Sequence, residues 1–173
     1  AWALIGRACG RTPDWSYFVG GSQGSHEEMA AAARYPQDYD GVIANYPAYN
    51  VTMMHIGAVN FRDALLIDGG AGWMNSAEVT TLTDAVYETC DPLDGAVDGI
   101  VSDVAGCDAI FDVSTVRCPD GADTGDDCLS DAQIQAVEKM ATDYDLGIDI
   151  GGNSVFAKSA LLQGALYQGV AGF

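Results

Sequence analysis

The sequence has 173 residues, which is enough for one ordinary domain, or for two small ones, with a hydrophobic core. Apolar residues make up 49% and charged residues 18% of the chain, which excludes a disordered tail or a fibre. The formal net charge of −18 argues against a nucleic-acid or anionic-membrane partner, and no apolar run is long enough to span a membrane.

The first 50 residues alternate between helix and strand patterns. They predict a helix over residues 1–9, a buried strand over Trp15–Val19, a helix over Ser25–Arg34 with acidic residues in its first turn, and a buried strand over residues 40–44. Short connections between these elements predict a parallel sheet, and therefore an α/β core over residues 1–50.

Residues 51–173 follow a different pattern, which we assign to a second domain. Asn75-Ser76-Ala77-Glu78 resembles a capping box that opens a helix to about Thr89, and Ser130-Asp131-Ala132-Gln133 resembles a second one. Residues 90–129 and those after Asp143 are predicted to be loops.

The ends of the sequence lack an initiator Met, a signal-peptide pattern and a final helix cap. We therefore expect these residues to be part of a longer protein, so a missing signal peptide carries no information about secretion.

The segment Gly20-Gly21-Ser22-Gln23-Gly24 matches G-x-S-x-G and lies between a predicted strand and a predicted helix. This is the context of a nucleophile elbow, in which a sharp turn exposes the serine and the next backbone N–H binds an oxyanion. The alternative is an ordinary glycine-rich turn.

A serine nucleophile needs a base, and the only histidines are His26 and His55. His26 follows on the same helix and is expected to point away from the serine, and no pattern surrounds His55. We interpret both as surface or packing residues, and we expect the triad acid and base to lie outside these residues.

Four of the five cysteines lie between residues 90 and 128, in a loop-rich stretch without a C-x-x-C pair. This favours disulfides and an oxidising compartment over a zinc site. Cys9 is either a buried thiol or the partner of a cysteine elsewhere. In the same stretch, three carboxylates within eight residues form either a Ca²⁺ loop or a solvated acidic loop.

Two segments together resemble the tannase and feruloyl esterase family. They are SYFVGGSQG…ARYPQDYDGVIANYPAYN and CDPLDGAVDGIVSD…C…FD…C…CLSDAQIQAV, in the order and at the separation of the family's nucleophile elbow and lid domain. The resemblance implies a fragment of an α/β-hydrolase core over residues 1–50, followed over residues 51–173 by part of a loop-rich lid.

The resemblance also implies roles for particular residues. It makes Ser22 the nucleophile and Gln23 the oxyanion N–H donor. It implies a structural Ca²⁺, with side-chain ligands Asp91, Asp94 and Asp98 and carbonyl ligands Ala96 and Ile100. It also implies two lid disulfides, Cys90–Cys107 and Cys118–Cys128.

This sequence departs from the family at the elbow. Many members carry a Cys before the nucleophile, bonded to a Cys beside the catalytic His, whereas this chain has Gly21 there. The usual Gly-Gly-Arg after the nucleophile is replaced by Gly24-Ser25-His26.

The resemblance therefore implies a secreted or periplasmic serine esterase for small aromatic esters, and we expect these 173 residues to be inactive on their own. The alternative is a non-catalytic, calcium-stabilised secreted domain with a vestigial elbow.

Overall fold

The computed structural model describes residues 2–165. The chain divides into two compact units, Ala1–Met54 and His55–Phe173. Within the described range, no helix is both long and apolar enough to cross a membrane.

The first unit is a parallel strand pair with a crossover helix. Its elements are α1 (Trp2–Cys9), β1 (Tyr17–Gly21), α2 (Gln23–Arg34) and β2 (Gly41–Asn45). The strands pair in parallel, with Gly21 opposite Asn45 at their carboxyl ends. Because parallel strands need such a crossover, the short helical connection determines this arrangement.

Three details of the predicted first unit are wrong. The first strand begins at Tyr17 and runs through both glycines, so the turn consists of Ser22 alone. Helix α2 starts at Gln23, which leaves its first turn without an acidic residue. The strands are also not buried, since Tyr17 is 61% and Val19 is 59% exposed.

Helix α3 (Val51–Leu65) begins just before the division and leads into the second unit. The unit continues with α4 (Ser76–Cys90), α5 (Val104–Ile110), α6 (Asp131–Met140), β3 (Tyr144–Ile150) and β4 (Asn153–Phe156). Short 3₁₀ helices lie at Ile67–Gly69, Asp91–Asp94, Val113–Val116 and Ala160–Gln163.

Both predicted capping boxes are confirmed, and a hydrogen bond joins one residue of each. Asn75 caps α4 with Glu78 as the reciprocal partner, and Ser130 caps α6 with Gln133. The Gln133 Nε2 then donates to the Glu78 Oε1 at 2.8 Å, where both side chains are buried. This bond joins the N-termini of two helices that lie 55 residues apart in sequence.

An apolar core lies between these helices. It contains the inward faces of α4 and α6 together with buried cysteines, and its most buried members are Ala64, Val86, Cys90, Cys107, Leu129, Ala136, Val137 and Met140. On α6, Ile134, Val137 and Met140 share one face and are all buried.

The prediction of loops after Asp143 and throughout residues 90–129 is wrong. Strands β3 and β4 form an antiparallel hairpin. Its signal was present, because Tyr144, Leu146, Ile148 and Ile150 alternate with polar or small residues before Gly151-Gly152. In residues 90–129, α5 is a true helix, capped by the Asp103 side chain on the Gly106 N–H.

Candidate active site

Ser22 forms the entire turn between β1 and α2. Its backbone has φ 54° and ψ −114°, outside the regions that a residue with a Cβ normally occupies. The residue is exposed and follows the last residue of a strand. This strained, exposed strand-to-helix turn is the geometry of a nucleophile elbow.

Gly20 allows the strand and the helix to meet at this turn. A Cβ at this position would lie 2.8 Å from the carbonyl carbon of Gly24, so any other residue would force β1 and α2 apart. A Cβ on Gly24 would meet nothing within 4 Å. Only the first glycine of G-x-S-x-G is therefore required sterically in the described structure.

Backbone hydrogen bonds hold the turn against β2. The Ser22 N–H donates to the Asn45 carbonyl at 3.2 Å, and the Ala48 N–H donates to the Ser22 carbonyl at 3.3 Å. The Ser25 hydroxyl lies 2.8 Å from the Gly20 carbonyl and 2.5 Å from the Asn45 carbonyl, and Ser25 is fully buried. These bonds tie the carboxyl ends of both strands to the start of α2.

Gln23 is the first residue of α2, directly after Ser22. The first backbone N–H groups of a helix have no partner within it, and the positive end of the helix dipole lies there. The arrangement therefore presents an N–H donor and a favourable field for a negative charge that develops beside Ser22.

His26 does not lie in the position of a base. Its Nδ1 lies 3.0 Å from the Ala48 carbonyl, and within the first unit no hydrogen bond joins the Ser22 hydroxyl to a histidine. His55 lies on α3 in the second unit.

In the predicted calcium loop, the carboxylates accept hydrogen bonds from backbone N–H groups of the loop itself. Asp91 is only 6% exposed, and its carboxylate accepts the N–H groups of Asp98, Gly99 and Ile100 at 3.1–3.3 Å. Asp94 accepts the Ala96 N–H at 2.9 Å. This hydrogen bond is the main cause that lowers the pKa of Asp94, and a hydrogen bond from the Ser102 hydroxyl is the second cause.

The carboxylate oxygens of this loop are the hard ligands that Ca²⁺ prefers, but the carboxylates do not surround a common position for an ion. Asp98 is exposed and bonds the Ile100 N–H of its own turn at 3.1 Å. Within residues 2–165, no three His, Cys, Asp or Glu side chains converge on a common metal position. Gly95 and Gly99, with φ of 93° and 79°, provide the chain reversals of this loop.

The structure contains two disulfides, Cys90–Cys107 and Cys118–Cys128. The first joins the end of α4 to α5. Cys9 is a free, exposed thiol, so the expectation that it could be buried is wrong.

Sequence reasoning missed three residues around the elbow. Ser25 joins the two strand ends, as described above. The Glu28 carboxylate lies beneath Gly20, fully buried, and neither of its oxygens has a hydrogen-bond partner within the described range. Tyr46 lies with its phenol against Gly21. The contacts of Ser25 and Tyr46 depend on the pairing of β1 with β2, and the burial of Glu28 depends on how α2 packs on β1; no local pattern encodes either.

Comparison with known proteins gives consistent matches. The profile of the family described as tannase and feruloyl esterase matches residues 1–163. Mono(2-hydroxyethyl) terephthalate hydrolase of Piscinibacter sakaiensis is 35% identical over 155 residues, covering 79% of this chain and 26% of that protein. A probable feruloyl esterase B-2 of Aspergillus terreus is 33% identical, covering 72% and 23% respectively. The chain thus spans about a quarter of the length of these relatives.

Solved structures show the same fold. Feruloyl esterase B from Aspergillus oryzae superposes with a TM-score of 0.70 at 23% identity, covering 95% of this chain and 32% of that one. Tannin acyl hydrolase from Aspergillus niger gives 0.59 at 21% identity, covering 87% and 28%. These likenesses confirm the predicted α/β fold class.

Proposed function

The chain belongs to the tannase and feruloyl esterase family, and we propose that the whole protein is a serine carboxylic ester hydrolase that acts on small aromatic esters. The observation that carries this proposal is the backbone of Ser22, strained and exposed at the turn between β1 and α2. The relatives named as feruloyl esterase and terephthalate monoester hydrolase support the aromatic ester as substrate.

In the proposed mechanism, the Ser22 hydroxyl attacks the ester carbonyl and gives its proton to a base. The carbonyl oxygen becomes an oxyanion, which accepts a hydrogen bond from the Gln23 N–H at the start of α2. Collapse of this intermediate releases the alcohol and leaves an acyl-Ser22 ester, which water then hydrolyses. Within the described residues of the first unit, no histidine bonds the Ser22 hydroxyl, so the proposal places the acid and the base in other parts of the whole protein.

An acyl-enzyme predicts a burst of product. With the nitrophenyl ester of an aromatic acid, acylation is fast because the leaving group is good, so the complete protein should release about one equivalent of nitrophenol before steady turnover. Stopped-flow absorbance measures this amplitude. The isolated 173 residues should show no turnover, since His26 contacts the Ala48 carbonyl and the proposal places the base outside these residues. Turnover by the isolated residues that Ser22→Ala abolishes would instead make His26 or His55 the base, and linear kinetics in the complete protein would contradict fast acylation followed by slow hydrolysis of the acyl-enzyme.

The second unit belongs, in this proposal, to a lid domain, and the protein to a secreted or periplasmic setting. Its two disulfides support an oxidising compartment, because such bonds persist there and are rare in the cytosol.

The proposal includes a structural Ca²⁺ in the loop of Asp91, Asp94 and Asp98. Three carboxylates on one short loop repel each other, and a divalent cation offsets that repulsion. Binding would require the loop to exchange some of its N–H bonds to Asp91 for bonds to the ion.

Calcium should therefore raise the thermal stability of the complete protein, because an ion that binds only the folded state stabilises it by mass action. Differential scanning calorimetry with Ca²⁺ and with a chelator should give a lower Tm in the chelator. Asp94→Ala should have the same low Tm in both conditions, and Asp84→Ala, on the exposed side of α4, should respond like wild type. A wild-type Tm that calcium leaves unmoved would contradict the ion and favour the solvated acidic loop.

A further inference from the structure

Tyr46 lies beside the nucleophile at the carboxyl edge of the strand pair. Gly21 pairs with Asn45, so the residue that follows β2 lies next to Ser22, the residue that follows β1. A Cβ at Gly21 would be 2.6 Å from the Tyr46 Oη and 2.9 Å from its Cζ. The phenol therefore fills the space that any side chain at position 21 would need.

The phenol oxygen is close enough to contact an ester bound at the serine. Adjacent Cα atoms are about 3.8 Å apart, so this oxygen lies within about 8 Å of the Ser22 Cα. In parallel α/β sheets, ligands bind outside the carboxyl ends of the strands, and both residues lie at that edge.

The conformation of Tyr46 is strained and its ring is poorly covered. Its φ is 41°, unusual for a bulky residue, and the residue is 79% exposed. Its hydroxyl has no hydrogen bond within residues 2–165. The fold thus holds an aromatic ring in an unfavourable backbone conformation without burying it. Such strain is concentrated at functional sites.

We propose that Tyr46 is a specificity-determining residue, whose ring forms a wall beside Ser22 against which the aromatic ring of the ester packs. This inference rests on the proposed function. Aromatic pairs are favourable in offset or edge-to-face arrangements, and an exposed phenol beside the serine offers a face for such a pair. An unbranched aliphatic acyl group offers no ring for this contact.

The test compares two methyl esters, one of an aromatic acid and one of an unbranched aliphatic acid, with the complete protein. Tyr46→Ala should lower kcat/KM for the aromatic ester about tenfold, while the aliphatic ester loses less than about twofold. Tyr46→Phe keeps the ring and should keep most of the aromatic preference. Tyr35→Ala, a change of another exposed tyrosine at the far end of α2, should leave the preference unchanged.

A second variant tests the contact itself. Gly21→Ala places a methyl group against the phenol, so it should reduce the aromatic preference in the wild-type background and much less in the Tyr46→Ala background. Such coupling between the two changes reports a direct contact. Independent, additive effects would contradict it.

The outcomes separate this inference from the proposed function. If the wild-type protein hydrolyses both esters and Tyr46→Ala leaves their ratio unchanged, Tyr46 is not a specificity residue. An equal loss for both esters, with a lower Tm, would mean that the ring is merely structural. If the wild-type protein hydrolyses neither ester, the proposed function is wrong and this inference with it.

Discussion

Ser22→Ala is expected to lower kcat of the complete protein for an aromatic ester by several orders of magnitude, on the order of 10⁴ to 10⁶. The reason is that the substitution removes the attacking oxygen, while hydrogen-bond donors such as the Gln23 N–H remain to give a small residual rate. Steady-state kinetics under saturating substrate measures the loss.

The matched control is Ser25→Ala, which removes a second hydroxyl from the same elbow. The Ser25 hydroxyl bonds only backbone carbonyls, so its loss should reduce the free energy of unfolding by about 1 kcal/mol and leave kcat within about tenfold of wild type. Near-normal activity of Ser22→Ala would contradict its role as nucleophile.

Removing the Cys90–Cys107 disulfide is expected to cost about 3 kcal/mol of the free energy of unfolding in the chain-entropy model. The bond closes a loop between cysteines 17 residues apart, and both residues are fully buried in the core. The double change of Cys90 and Cys107 to Ala therefore relaxes the unfolded chain and leaves space in the core. Urea-induced unfolding measures the loss.

Two comparisons make this prediction specific. Removing Cys118–Cys128, which closes a shorter span of 10 residues, should cost somewhat less. Cys9→Ala should change stability by less than about 0.5 kcal/mol, because Cys9 is exposed and unbonded in the described structure. Peptide mapping without reductant checks the pairing first, and a Cys90–Cys118 or Cys107–Cys128 bridge would contradict it.

Local patterns in the sequence predicted those structural elements that depend on contacts between residues close together in the chain. The elbow around Ser22 is such a case, since a strand pattern, a G-x-S-x-G segment and a helix pattern follow one another directly. The capping boxes at Asn75 and Ser130 are others, because a cap and its partner lie three residues apart.

Contacts between distant segments could not be predicted in this way. The bond between Gln133 and Glu78 depends on how two helices pack, although each residue was already assigned to its own cap. The contact of Tyr46 with Gly21 depends on the register of two strands. Sequence alone suggested only that Gly21 lacks a side chain, and the structure shows which ring occupies that space.

The glycines of the elbow show the same limit. The G-x-S-x-G pattern has a glycine at both Gly20 and Gly24, whereas only at Gly20 would a Cβ meet backbone within contact distance. The difference arises because the Cβ direction at Gly20 points into the turn, and the direction at Gly24 points into open space.

Covalent labelling tests the central claim, that Ser22 is an activated nucleophile, most directly. A fluorophosphonate reacts with serines that a neighbouring base and an oxyanion site activate, and displacement of fluoride leaves a stable phosphonyl ester on the serine oxygen. After labelling of the complete protein and proteolysis, mass spectrometry should find one adduct, on the peptide that carries Ser22, and none in Ser22→Ala. An unlabelled protein, or an adduct on a different serine, would contradict the account and favour the non-catalytic domain with a vestigial elbow.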